Sequence, residues 1–236
     1  PLCTARETEM ILHHMPMSAP CRFVRLLLAE YGVEAQLHEE RPWERRQEFL
    51  AMNPAGTIPV LVAEAGVPLS GAHPIAEYLD ETRGVMARER RLMPDYPLER
   101  AEVRRLVDWF IVKLEADVTR ALVRERIDKL AMPAELGGGA PDSGAMRAAR
   151  ANIRQHLRYL NWLAGTRDWL GAPSISAADI AAGAAVSILD YMGEIDWSGV
   201  PQARDWYTRM KSRPSFRPLL ADRVRGLTPV SHYADL

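Results

Sequence analysis

The sequence changes character near residue 97. Residues 10–81 alternate short strand-like and helix-like stretches, whereas every long periodic stretch after residue 97 is helical. Such a chain builds a small sheet with its own helices first and a helical body second. In the first part, an apolar run at 10–15, interrupted by His13 and His14, reads as a strand. Ser18-Ala-Pro-Cys21 then opens a helix in which Phe23, Val24, Leu27, Leu28 and Tyr31 share one face. Ser18 suits the cap of this helix, Pro20 its first turn and Gly32 its end. Residues 35–39 alternate as a strand, 42–52 form a short helix or turn, and 58–63 read as a buried strand. Gly66 marks a hairpin turn, 67–69 return with Pro68 at a sheet edge, and 74–81 give a third short helix. The order is β-α-β-α-β-β-α.

Residues 83–97 read as a linker, with Gly84, Pro94, Pro97 and a charged cluster at 88–91. Val103, Leu106, Val107, Phe110, Ile111 and Leu114 then form an apolar helical stripe. A loop over 135–144 carries three consecutive glycines and Pro141. Helices follow over 146–163, from Ser176 to near Gly193, and over 202–212, before Pro214 and Pro218 break the pattern. The division is 1–9 as a tag or disordered start, 10–82 as an α/β domain, 83–97 as the linker, 98–225 as a helical domain and 226–236 as a tail. Because the chain begins at Pro1 rather than Met, a remnant of tagging or processing is expected before Met10.

Composition narrows the function classes. The net charge of −1 gives no whole-molecule field favouring nucleic acid or membrane. No run approaches the ~18 apolar residues of a spanning helix. Two cysteines, Cys3 and Cys21, support neither a disulfide framework nor a metal site. The expected compartment is a reducing cytoplasm.

Three local features carry a family resemblance. They are Ser18-Ala-Pro-Cys21-Arg22-Phe-Val-Arg25, then Asn53-Pro-Ala-Gly-Thr-Ile58-Pro59-Val60, then Ser174-Ile-Ser176-Ala-Ala-Asp179. In this order and at these separations they resemble the glutathione-transferase superfamily over residues 10–223. The resemblance implies an α/β thioredoxin-like N-terminal domain plus an all-α C-terminal domain. It also implies glutathione as the ligand of any enzymatic member, held by Ser18, Ile58 and Pro59. Ser18 would donate to the glutathione thiolate beside a helix N-terminus, lowering a thiol pKa of about 8.5; the alternative is that it only caps the helix. Ile58-Pro59 matches the family's cis-proline junction. Cys21 reads as a buried structural thiol, because Ser18 occupies the other position of a Cys-x-x-Cys pair. Ser176 to Asp179 reads as a capping box with no chemical role.

The family's acid–serine pair, which grips the γ-glutamyl end of glutathione, falls on Gly71 and Ala72. Two lost charge-assisted hydrogen bonds, roughly 1.5–3 kcal/mol each, weaken binding by about a hundredfold or more. Two other stretches, 39–46 and 225–236, resemble an FtsZ-binding, cell-division branch of the superfamily. Members of that branch are bacterial dimers that use the fold without catalysis. The resemblance therefore implies a homodimer that binds FtsZ polymer, needs no cofactor or metal, and gathers at the division site. Trp43 among Arg41, Arg45 and Arg46 has the composition of an interface hot spot, or else packs on its own domain. The tail, with His232, Tyr233 and Asp235, docks on its own helical domain or on a partner. Arg124, in a run with Arg120, Arg126 and Lys129, is either a basic contact for acidic FtsZ or an ordinary solvated face. The expected function is a non-enzymatic FtsZ-binding protein; the alternative is a glutathione-dependent transferase or isomerase using Ser18, its vestigial catalytic candidate.

Overall fold

The computed structural model describes residues 9–235. The proposed tag or disordered start, residues 1–9, therefore lies outside the described residues except for Glu9. Glu9 accepts a hydrogen bond from Gln36 at 2.7 Å.

The N-terminal sheet has four strands: β1 (Met10–His14), β2 (Ala35–Glu39), β3 (Val60–Val62) and β4 (Pro68–Ser70). Their order is β2-β1-β3-β4, with β1 and β2 parallel and the other pairings antiparallel. Pro68 starts the edge strand, where its missing N–H costs no ladder bond. Three helices accompany the sheet: α1 (Ala19–Glu30), α2 (Gln47–Met52) and α3 (Ala72–Leu79). Ser18 caps α1, accepting from the Cys21 N–H at 3.4 Å, and Pro20 sits in its first turn. The apolar face read from the sequence is buried: Phe23, Val24 and Leu27 are almost wholly covered.

The segment read as a linker is packed. It carries short turns at Val85–Ala87 and Arg88–Arg90, and it inserts Leu92 and Met93 into the core. Its Arg91 binds buried Asp80 at 2.7 Å, so the two domains share one core rather than hanging on a tether.

The helical domain begins with α4 (Pro97–Asp108), prolonged by helical turns to Ala131, three of them wide: Trp109–Lys113, Glu115–Thr119 and Arg124–Asp128. Next come α5 (Ser143–Thr166), α6 (Ala177–Tyr191) and α7 (Pro201–Lys211). Helix α6 is buried along its whole length, and α1 packs against it. Its capping box is formed, and Asp179 also accepts from the Leu170 N–H at 2.9 Å and the Trp206 indole at 3.0 Å. One carboxylate thus fixes the start of α6, the loop before it and α7. Among the described residues, no helix is long and apolar enough to cross a membrane.

Candidate functional site

The turn after β1 delivers Ser18 to the N-terminus of α1, half-buried, with its Oγ engaged as the helix cap. One turn further on, burial pushes the Cys21 thiol up to about 12, which makes it a core side chain rather than a nucleophile. The Ile58–Pro59 peptide is cis, and the Pro59 carbonyl accepts from the Gly71 N–H at 2.9 Å. Gly71 precedes α3 with φ +92°, without a side-chain cap, and Ala72 buries its methyl group. No carboxylate or hydroxyl side chain therefore stands at either position. Ser70 lies opposite Val60, half-buried.

A cleft of about 680 Å³ opens between the two domains; it reaches the turn before α1, but Ser18, Ile58, Pro59, Gly71 and Ala72 are not among its walls. Its walls include Met15 and Met17 from the turn before α1 and Trp43 from the Pro42–Glu44 turn. Ile127, Asp128 and Leu130 face it from the helical domain, and Arg223 and Arg225 from the start of the tail. Trp43 is half-buried, and its indole N–H is shielded from solvent without a partner. The Asp128 Oδ1 is in the same condition. Burial raises the Asp128 carboxyl to about 6, against an opposing pull from Arg124. The cleft thus offers apolar walls, the Glu39 carboxylate and three arginines, counting Arg41, while the two unpartnered polar atoms sit just behind its surface. These are the ingredients of a recognition site for a polar chain with apolar anchors.

The remaining sequence-derived candidates separate. Tyr233 is a correction: as a partner contact it would have to be accessible, yet it is buried. Its hydroxyl accepts from Arg22 at 3.1 Å and donates to the Leu219 carbonyl at 3.1 Å, while its ring meets Tyr191 edge-on. The tail docks on its own molecule. His232 is exposed, and its Nε2 lies 3.2 Å from buried Asp190. Asp235 is exposed, and its backbone N–H donates to the His232 carbonyl at 3.1 Å. Arg124 is exposed on the helical domain, near the turn at Gly137. Its neighbours in the basic run are used internally: Arg126 binds the Met192 carbonyl and Glu194, and Lys129 binds Glu125. Trp43 therefore shares the cleft with the beginning of the tail, whereas Arg124, His232 and Asp235 lie away from its walls. Sequence reading missed Asp128, Arg223 and Arg225. A carboxylate in the run 124–129 looks like one half of a solvated ion pair until the fold buries it.

This arrangement, a four-stranded mixed sheet with a cis-proline turn joined to a helical domain, defines a class. The model of the glutathione S-transferase N-terminal domain family matches residues 12–89, and the chain belongs to the glutathione S-transferase family. Within it, the chain is similar to FtsZ-localized protein A of Caulobacter vibrioides, with 40% identity over 98% of this chain and 99% of that protein. The crystal structure of a glutathione S-transferase from Sinorhizobium meliloti 1021 superposes with a TM-score of 0.95 at 62% identity, covering 96% of this chain and 98% of that one. The structure of FzlA from C. crescentus superposes with a TM-score of 0.87 at 40% identity, covering 96% and 98%.

Proposed function

We propose that this protein is a non-enzymatic, dimeric member of its family that binds FtsZ filaments and regulates bacterial cell division. It acts in the cytoplasm, concentrated at the division site. The observation that carries this reading is near full-length similarity to a protein named for its localisation to FtsZ. The site geometry supports it. Gly71 and Ala72 provide no side chain to hold the ammonium or carboxylate of a γ-glutamyl group, and the Ser18 hydroxyl is engaged as a helix cap. The surface around Trp43 supplies an aromatic face with arginines at its rim, which suits an acidic filament. Exposed Val67, Met86, Leu98 and Val112 lie on the elements expected to meet a second copy: the last hairpin, the connecting segment and the first helical rod.

A second reading has one observation in its favour. Ser18 stands at the N-terminus of a 12-residue helix, where a thiolate would be stabilised. A glutathione-dependent transferase using Ser18 follows from that alone. The two readings part in one pair of experiments, calorimetry with glutathione and pelleting with GTP-assembled FtsZ. The proposal expects pelleting, and a glutathione dissociation constant weaker than about 0.1 mM, roughly −5.5 kcal/mol. Tighter glutathione binding without pelleting would establish the enzymatic reading instead.

A further inference from the structure

Helix α5 carries a charge pattern that nothing in the fold requires. Its 24 residues include Arg147, Arg150, Arg154 and Arg158, and not one Asp or Glu. At about 100° per residue, these four side chains and Trp162 fall within a sector of about 120°. That sector is opposite the buried face of Ala149, Ile153, His156, Leu160 and Leu163. All five residues of the stripe are exposed. A solvated helix face ordinarily interleaves acids with bases, because like charges three and four residues apart weaken the helix. Here the carboxylates of neighbouring elements are already committed. Glu194 pairs with Arg126 and Arg150, Asp117 with Lys113 and His156, and Asp205 lies beside Arg204. Among the described residues, Arg147, Arg154 and Arg158 have no carboxylate partner, and the Arg158 Nε donates only to the Arg154 carbonyl at 3.3 Å.

The stripe ends on an aromatic platform. Trp162, 55% exposed, stacks on Tyr159 with ring centroids 6.0 Å apart and planes 14° from parallel. Arg167 lies 5.9 Å from its ring centroid, and Arg105 lies 6.0 Å from that of Tyr159. Both arginines are anchored by Glu102, at 2.9 and 2.7 Å. The platform is therefore held in place before any partner arrives, which lowers the ordering cost of binding.

We propose that this face of α5 docks an acidic peptide segment of a partner protein, with guanidiniums pairing its carboxylates and Trp162 taking an apolar side chain at one end. The surface is separate from the cleft, so it provides a second attachment point on the same molecule. Charge complementarity selects an anionic occupant, and the composition selects among anions. Arginine with an exposed, pre-stacked Trp is the make-up of protein interface hot spots. A net charge of −1 supplies no long-range field of the kind that draws a protein to a polynucleotide or an anionic bilayer. A two-fold contact between copies through this face would set arginine against arginine.

The test uses the full-length protein and a labelled peptide of about ten residues, alternating Glu and Asp and ending in Phe, followed by fluorescence anisotropy. The native protein binds it. The pair Arg154→Glu and Arg158→Glu weakens binding about tenfold or more, and Trp162→Ala about threefold or more, with melting temperatures unchanged. The pair Arg154→Gln and Arg158→Gln serves if the reversed pair does not fold, and it too weakens binding. Absence of peptide binding up to about 1 mM, or binding indifferent to these substitutions, would overturn the proposal. Tighter binding of a single-stranded oligonucleotide or of phosphatidylserine vesicles than of the peptide would overturn it as well.

Discussion

Tyr233 and Asp235, two residues apart in the tail, have opposite exposure. Removing the Tyr233 hydroxyl takes one acceptor from Arg22, a fully buried cation that keeps Ser187 at 2.6 Å and Asp222 at 3.2 Å, and leaves the Leu219 carbonyl without that donor. Tyr233→Phe is expected to cost about 1–3 kcal/mol in chemical denaturation. Asp235→Lys should stay within about 0.5 kcal/mol of the native protein. A loss of 2 kcal/mol or so at Asp235 would show that the end of the tail is structural. Asp128 gives a pH-dependent prediction. Its folded pKa, about 6, lies above the usual carboxylate value, so the folded state holds a proton that the unfolded chain has released. The stabilising contribution of that proton is full below about pH 4 and is lost as pH rises through 6. Asp128→Asn should therefore melt higher than the native protein at pH 8, by on the order of 1–2 kcal/mol once contact with water is allowed for. The two should converge near pH 4; equal melting at both pH values would contradict the buried, unpaired carboxylate.

At the scale of elements, the tail and the long helices decide the shape of the cleft. The tail passes just beyond the end of α6 at Gly193, where an added Cβ would sit 2.6 Å from Val230, and Gly193 has φ +70°. Gly193→Ala is thus expected to lift the tail, seen as faster protease cleavage after residue 224 and a drop of about 1–3 kcal/mol in stability. Cleavage at the native rate would show that the tail accommodates the methyl group. The elements themselves were largely legible in the sequence, because periodicities of two and of 3.6 residues are local properties. The start of α5 was not. Gly144 and the glycine run before it suggested a loop, but Asp142 accepts from the Gly144 and Ala145 N–H groups and starts the helix at Ser143. The buried role of Tyr233 was also invisible, since its partner Arg22 lies 211 residues away in sequence. The glutathione motifs were readable because they are short and contiguous. The cleft was not, because its walls come from four separate segments.

At the scale of the molecule, one domain of a thioredoxin-like sheet is locked to a helical domain by Arg22 and Arg25 of α1 on Asp222 and by Arg213 on Glu30. The cleft lies between them, lined from both domains. A two-fold dimer is expected to scatter light as twice the 26.5 kDa chain mass at micromolar concentration, and a species of one chain mass would contradict it. The central claim is that this recess and its rim serve a filament rather than glutathione. Its most direct test is co-sedimentation with FtsZ polymers, with and without about 10 mM glutathione, a concentration about a hundredfold above the 0.1 mM boundary. The account predicts that the native protein pellets equally in both. It predicts that Trp43→Glu, folded by circular dichroism, stays in the supernatant, a loss of about 2 kcal/mol or more of binding. Displacement of the native protein by glutathione, or undiminished pelleting of Trp43→Glu, would contradict it.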